Sequence, residues 1–336
     1  ELATDVADAS GTSLFDVRRR AWSEEMLERL EIPPQWLPRA VESPQPTGAV
    51  ASQAAEVTGL PAGTPVVGGA GDQAAQAVGT GIVQPGLVSA TIGTSGVVFA
   101  PVDQPEVDAL GRLHTFCHAV PTRWHVMGVM LSAGGSLRWL RDVMGRTTWE
   151  GFPDPYDGMG TEAAATPAGA EGLLFLPYLT GERTPHADPF ARGAFVGLTV
   201  RHGRGHLIRA VMEGVAFGLR DALEILRDLG IPVTQVRASG GGARSALWRQ
   251  ILADVFATDV VTVTAADGAA YGAALLAGVG AGVFASVEAA CETTIGTGDH
   301  TAPHPERAAL YERLYRVYRD LYPSLKASMH TLSGFA

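Results

Sequence analysis

Residues Pro65 to Ala75 read Pro-Val-Val-Gly-Gly-Ala-Gly-Asp-Gln-Ala-Ala: a short apolar strand, a glycine turn, one carboxylate, then an alanine-rich helix. Glycine lets the backbone turn tightly and lets a ligand approach closely. Asp72 falls in the first turn of the helix, where the macrodipole favours negative charge. A carboxylate held at the end of a rigid strand can accept a proton. The bland alternative is a tight turn closed by a helix-capping Asp.

Gly69-x-Gly71-x-x-Ala74 after a strand also matches a dinucleotide fingerprint. Two features argue against it. Asp72 would occupy the place where a pyrophosphate needs backbone N–H groups, and no Asp or Glu follows near the ribose-binding position about 20 residues on.

The length of 336 residues allows about two domains. With 46% hydrophobic and 18% charged residues the chain can bury sizeable cores. A net charge of -10 disfavours nucleic acid and anionic membrane as partners. Cys117 and Cys291 lie too far apart in sequence to suggest a disulfide framework or a zinc cluster, which fits a reducing cytoplasm. No signal-peptide pattern opens the sequence, and the longest apolar stretch, 269–282, is too short to span a membrane. The chain starts without Met, as a processed protein or a fragment would.

Lys326 is the sole lysine, so a phosphate-binding loop of the Walker type is excluded. Phosphate must be met by glycine turns, helix ends and arginines. Leu87 to Ala100 holds two β-rich runs joined by Gly93-Thr94-Ser95-Gly96, a hairpin whose turn exposes N–H groups and two hydroxyls. An ordinary hairpin explains the same residues. Gly134-Gly135-Ser136 opens a helix that offers a second anion or adenosine surface. Ser239-Gly240-Gly241-Gly242 is a strand-to-helix turn against which a nucleotide can lie. His114, Phe116 and His118 share one strand face opposite Cys117, a pattern that does not favour a metal site. Residues 145–170 read as a Gly/Pro/acid-rich loop, and Thr180 to His186 as a polar loop suited to internal ion pairs or a site. The apolar stripe of 206–229 marks the clearest helix, with Gly214 and Gly218 allowing close approach. Tyr311, Tyr315, Tyr318 and Tyr322 share a face of the last helix, read as core packing.

The motifs Gly-Ala-Gly71-Asp72-Gln73, Gly93-Thr94-Ser95-Gly96, Tyr178 to His186 and Ser239 to Gln250, in this order, resemble the FGGY carbohydrate kinases. Gly193 to Leu198, followed by His206 to Gly214, is similar to that family's C-terminal signature. The Gly-Glu-Arg-Thr-Pro-His loop and Asp8 to Thr12 are most like the xylulokinases within it. The resemblance implies an α/β fold of two ribonuclease-H-like ATPase domains of the actin, hexokinase and Hsp70 superfamily. It divides the chain at 84/85, into a sugar-binding part (1–84) and a nucleotide-binding part (85–336). It implies ATP and Mg²⁺ with a small-molecule sugar, phosphorylation of D-xylulose, and a cytoplasmic enzyme; a homodimer is compatible with it. Asp72 then matches the proton acceptor, and Gln73 helps position the sugar. Gly93, Thr94 and Ser95 match the loop facing the phosphates, while Gly134, Gly241 and Gly242 match the ATP surface. No metal ligand is assigned. The family's first strand pair, with its phosphate loop, and the early sugar-contacting segment have no match here. The first domain is therefore expected to be incomplete and the chain alone inactive. Ribulose, glycerol or gluconate remain alternative substrates, and a non-catalytic sensor the alternative class.

Overall fold

The computed structural model describes residues 2–264 and 268–335. The chain opens with β1 (Ala3–Asp5), α1 (Val6–Ser10), β2 (Phe15–Asp16), β3 (Ala21–Trp22) and α2 (Glu24–Arg29). Buried Asp5 caps α1 by accepting from the N–H groups of Ala7 and Asp8 at 2.7 and 3.1 Å. Ser23 caps α2 as its sequence suggests. Next come β4 (Arg39–Val41), β5 (Pro46–Ala49), α3 (Ser52–Thr58), β6 (Pro65–Val67) and α4 (Asp72–Gly79).

This opening segment is more organised than its sequence suggests. Among the described residues it holds three strand pairs: β1 with β4 in parallel, β2 with β3 and β5 with β6 antiparallel. It is fastened to the rest of the chain. The N–H of Cys117 donates to Ser10 Oγ at 3.1 Å, and the Trp124 indole N–H to the Val17 carbonyl at 2.6 Å. Val6, Ala9, Phe15 and Cys117 form one apolar cluster across that seam.

The second part begins with β7 (Gly86–Ile92), β8 (Gly96–Val102), β9 (His114–Cys117) and β10 (Trp124–Met130). The expected hairpin is present, with Ser89 opposite Phe99 and Ile92 opposite Gly96. Helix α5 (Gly134–Met144) follows, then α6 (Pro155–Ala164), where the sequence reads as loop. The reason is local. Asp154 accepts from the N–H of Tyr156 and Pro155 occupies the first helical position, a strong start signal that outweighs Gly158 and Gly160. The strands β11 (Leu174–Leu176) and β12 (Ala194–Val196) precede the long α7 (Arg204–Asp228). Gly214 lets α7 lie against the Phe175 backbone, whereas Gly218 faces side chains of Met130 and Tyr318.

The chain ends with β13 (Val233–Ser239), α8 (Ala246–Phe256), β14 (Val260–Val263), α9 (Gly268–Gly280), α10 (Val287–Thr294), β15 (Thr297–Thr301) and α11 (Pro305–Ser333). The described residues form a seven-stranded sheet in the order β15-β14-β13-β7-β8-β10-β9, with β13 parallel to both neighbours. The main core lies between this sheet, α7, α8 and α11. The tyrosine stripe of α11 is core, as read, but its hydroxyls are also spoken for. Tyr311 donates to Glu213, Tyr315 to Asp221 and Tyr322 to Asp188, at 2.6 to 2.7 Å. Among the described residues no helix is long and apolar enough to cross a membrane.

Candidate active site

Strand β6 leads through Gly68 to Gly71 into α4. The turn is pinned to the end of β4, because the Gly69 N–H donates to the Ser43 carbonyl at 3.0 Å. Gly71 is the N-cap and Asp72 the first helical residue, so Asp72 is not the capping side chain. Its carboxylate is exposed, while Gln73 is half-buried. Asp8 stands beside the turn: a Cβ at position 71 would lie 3.1 Å from its Oδ1. Sequence reasoning gave Asp8 no catalytic weight.

A cavity of about 880 Å³ opens at the ends of β7 and β13. Gly93, Thr94, Gly134, Gly241 and Gly242 all line it; Ser95 lies in the same turn as Thr94 but not on the wall. The hairpin turn and the start of α5 are joined directly. The N–H groups of Ala133 and Gly135 donate to the Thr94 carbonyl, and that of Gly134 to the Gly93 carbonyl, at 2.8 to 3.0 Å. The start of α5 is thus a wall of the cavity rather than the free anion site its sequence suggests, since these donors are already used. The N–H groups of Thr94 and Ser95 make no such bonds among the described residues, and both residues are exposed. Arg138 reaches over the turn and donates to Thr94 Oγ1 at 2.7 Å.

The triple-glycine turn divides its labour. Gly240 has φ +81°, and a Cβ there would meet the Ile92 carbonyl at 2.6 Å. A Cβ at Gly242 would meet the Ile92 side chain at 2.5 Å. Gly241 faces open space, with nothing within 4 Å. It is the place where a ligand can lie against bare backbone. If a nucleotide occupies this cavity, Gly241→Ala should fold normally and weaken its binding about tenfold, a loss near 1.4 kcal/mol. Gly242→Ala should lower the melting temperature instead. Nucleotide titration calorimetry and thermal unfolding of both variants separate the two effects; equal behaviour would remove this distinction.

The far wall comes from α6, which the sequence did not reveal. Asp154, Tyr156, Asp157 and Thr161 line it, and Arg141 holds Tyr156 by a 3.0 Å bond to its hydroxyl. The Trp248 indole donates to the Met212 carbonyl at 3.0 Å, and both residues line the cavity.

The Thr180 to His186 loop is held by internal bonds. Glu182 Oε1 accepts from the N–H groups of Leu131 and Arg183 at 2.9 and 2.8 Å, and Thr184 Oγ1 donates to the Arg112 carbonyl at 2.7 Å. Burial pushes Glu182 up from near 4.5 to about 8. The folded chain therefore holds a proton that the unfolded chain releases near pH 4.5. Stability from this group is complete below that value and is lost as pH rises through about 8. The melting temperature of the wild type should fall between about pH 6 and pH 9, and Glu182→Gln should fall less over the same range. Identical slopes in a pH series of thermal scans would contradict this.

Of the alternating histidines, His118 has both ring nitrogens engaged within the fold. His118 Nδ1 accepts from the N–H of Val120, and its Nε2 contacts the Ile82 carbonyl. Among the described residues no group of three or more His, Cys, Asp or Glu side chains is set to hold a metal ion.

Comparison with known proteins matches residues 1–79 to the N-terminal domain, and residues 88–281 to the C-terminal domain, of the FGGY family of carbohydrate kinases. The chain is 39% identical over 329 residues to the xylulose kinase of Escherichia coli K12, covering 97% of this chain and 66% of that one. The solved structure of a xyloylose kinase from Brucella ovis superposes with a TM-score of 0.90 at 36% identity, over 97% of this chain and 66% of that one. The gluconate kinase of Lactobacillus acidophilus superposes with a TM-score of 0.89 at 29% identity, over 98% of this chain and 66% of that one. The chain thus spans 66% of the length of these relatives. The matches overturn the expectation that the family's N-terminal part is lacking and the first domain incomplete. Both domain models align, and the short paired strands of 1–79 belong to the first.

Proposed function

Since the chain belongs to the FGGY family of carbohydrate kinases, we propose that it transfers the γ-phosphoryl group of ATP to D-xylulose, giving ADP and D-xylulose 5-phosphate. The observation that carries this is the cavity of about 880 Å³ bounded by glycine turns, with a backbone N–H on its wall at Thr94 that makes no hydrogen bond among the described residues. The names of the Escherichia coli and Brucella ovis relatives favour the substrate. The sugar side comprises residues 1–84 and the nucleotide side 85–336, a boundary lying between the two matched segments.

Asp72 takes the proton of the attacking sugar hydroxyl, and Gln73 orients the sugar. The new bond joins the sugar oxygen to the γ-phosphorus as the bond to the bridging β,γ-oxygen breaks, leaving ADP. Gly93, Thr94 and Ser95 face the β- and γ-phosphates, with the Thr94 and Ser95 N–H groups as donors to the charge that builds there. Gly134, Gly241 and Gly242 carry the rest of the nucleotide. Lys326 is not among the lining residues, and Arg138 and Arg244 supply the cavity's positive charge. Mg²⁺ is expected to enter with the phosphates. The described residues offer no metal cluster of their own, so no step is assigned to it.

Gluconate is the second reading, because the gluconate kinase matches with nearly the same TM-score as the Brucella ovis protein. The test is sugar-dependent ADP release by the full-length protein on D-xylulose, D-ribulose, L-ribulose, glycerol and gluconate. Turnover greatest on D-xylulose supports the proposal. Preference for another polyol keeps the reaction and moves the substrate. ATP binding with no turnover on any of them would leave a sensor.

A further inference from the structure

Helix α4 carries Asp72 at its first position and Gln76 one turn later. The Gln76 side-chain amide donates to Thr91 Oγ1 at 3.3 Å and to Ser239 Oγ at 3.2 Å. Those two hydroxyls bond each other at 2.8 Å, and Ser89 Oγ lies 3.4 Å from Thr91 Oγ1. Thr91 stands two residues before Gly93, and Ser239 immediately before Gly240. They are direct partners across the parallel β7–β13 ladder. One amide therefore ties the helix of the proposed base to both strands that launch the glycine turns of the cavity.

The stem of Gln76 lies against Gly268 of α9, but that packing does not account for its amide. Ala74, Ala75, Ala77 and Val78 form the buried face, whereas Gln76 is half-buried. Apolar contact sets how close two elements lie but leaves rotation and sliding soft, while hydrogen bonds fix direction and register. Bonded chains of hydroxyls and amides in a partly dry interior also reinforce one another. Phosphoryl transfer depends mostly on positioning, so an error of about 1 Å between base and phosphate costs on the order of 10²-fold.

We propose that Gln76 is a positioning residue for phosphoryl transfer, setting the register between Asp72 and the Gly93 and Gly240 turns through Thr91 and Ser239. The inference rests on the proposed role of Asp72.

The test compares Gln76→Leu, Gln76→Glu, Ser239→Ala and the Gln76→Leu/Ser239→Ala double variant in the full-length protein, with Asp72→Asn alongside. Steady-state ADP release gives kcat and KM, and thermal unfolding gives the folded fraction. Gln76→Leu should lower kcat by about 10- to 100-fold, with KM for ATP changed by less than about twofold. Gln76→Glu, whose carboxylate can accept from one of the two hydroxyls while that hydroxyl accepts from the other, keeps a tie to both strands and should recover part of kcat. The double variant should be little worse than Gln76→Leu, because both changes break one network. An unchanged kcat in Gln76→Leu, a loss that only follows the unfolded fraction, failure of Gln76→Glu to recover, or additive losses would each overturn the proposal. If Asp72→Asn is inert while Gln76→Leu is normal, the node fails and the base stands. If Asp72→Asn turns over normally, the base fails and the node with it.

Discussion

Asp72→Asn, which removes the proposed general base, should lower sugar-dependent ADP release by about 10² to 10⁴-fold. The substitution is clean because the side chain is exposed and is not the cap of α4. Loss of its charge from the first helical turn should cost only about 0.3 to 1 kcal/mol of stability. Nucleotide affinity should be unchanged, since Asp72 does not line the glycine cavity. The expected signature is thus a collapse of kcat with normal ATP binding by calorimetry and a nearly normal melting temperature. Asp8→Asn is the informative companion, because Asp8 is the carboxylate that packs beside Gly71. A collapse in Asp8→Asn with Asp72→Asn retaining turnover would transfer the role of base to Asp8.

The parts of this arrangement written in local sequence were legible, and those written across the chain were not. Strand, glycine turn and helix at 65–79 follow from residues next to each other, and so does the hairpin around Gly93. The α6 wall was hidden by Gly158 and Gly160, although Asp154-Pro155 was the signal that could have found it. The start of α5 looked like a free anion site because nothing in Gly134-Gly135-Ser136 shows that the hairpin carbonyls take its donors. The Gln76 node joins residues 15 and 163 positions apart, a relation no window of sequence contains. The first domain was misjudged for a similar reason. Its strands are two to four residues long, and β1 finds its partner only at 39–41. The tyrosines of α11 were rightly read as core, yet their carboxylate partners lie on α7 and in the 180–190 loop.

Gly272→Ala should destabilise the protein by about 3 kcal/mol or more, the upper end of what overpacking a core costs. Helices α4 and α9 cross with their backbones in direct apposition. A Cβ at Gly272 would run into the Ala75 carbonyl, and a Cβ at Gly79 into the backbone of Gly268. Backbone cannot swing aside as a flexible side chain can, so the helices themselves must separate. Separation would also pull on the helix that bears Asp72 and Gln76, so activity should fall along with stability. Gly278→Ala, in the same helix, is the control. Its Cβ would meet side chains, the Phe284 ring at 3.0 Å and Val283 Cβ at 4.0 Å. Replacing a helical glycine by alanine gains up to about 1 kcal/mol in propensity in either case. Gly278→Ala should therefore be near neutral, and only Gly272→Ala should shift the urea midpoint strongly downward. Equal midpoints for the two variants would mean that the crossing tolerates a wider spacing. The fixed distance between the Asp72 helix and the cavity would then have to come from the Gln76 hydrogen bonds together with the Arg237 bond to the Thr80 carbonyl.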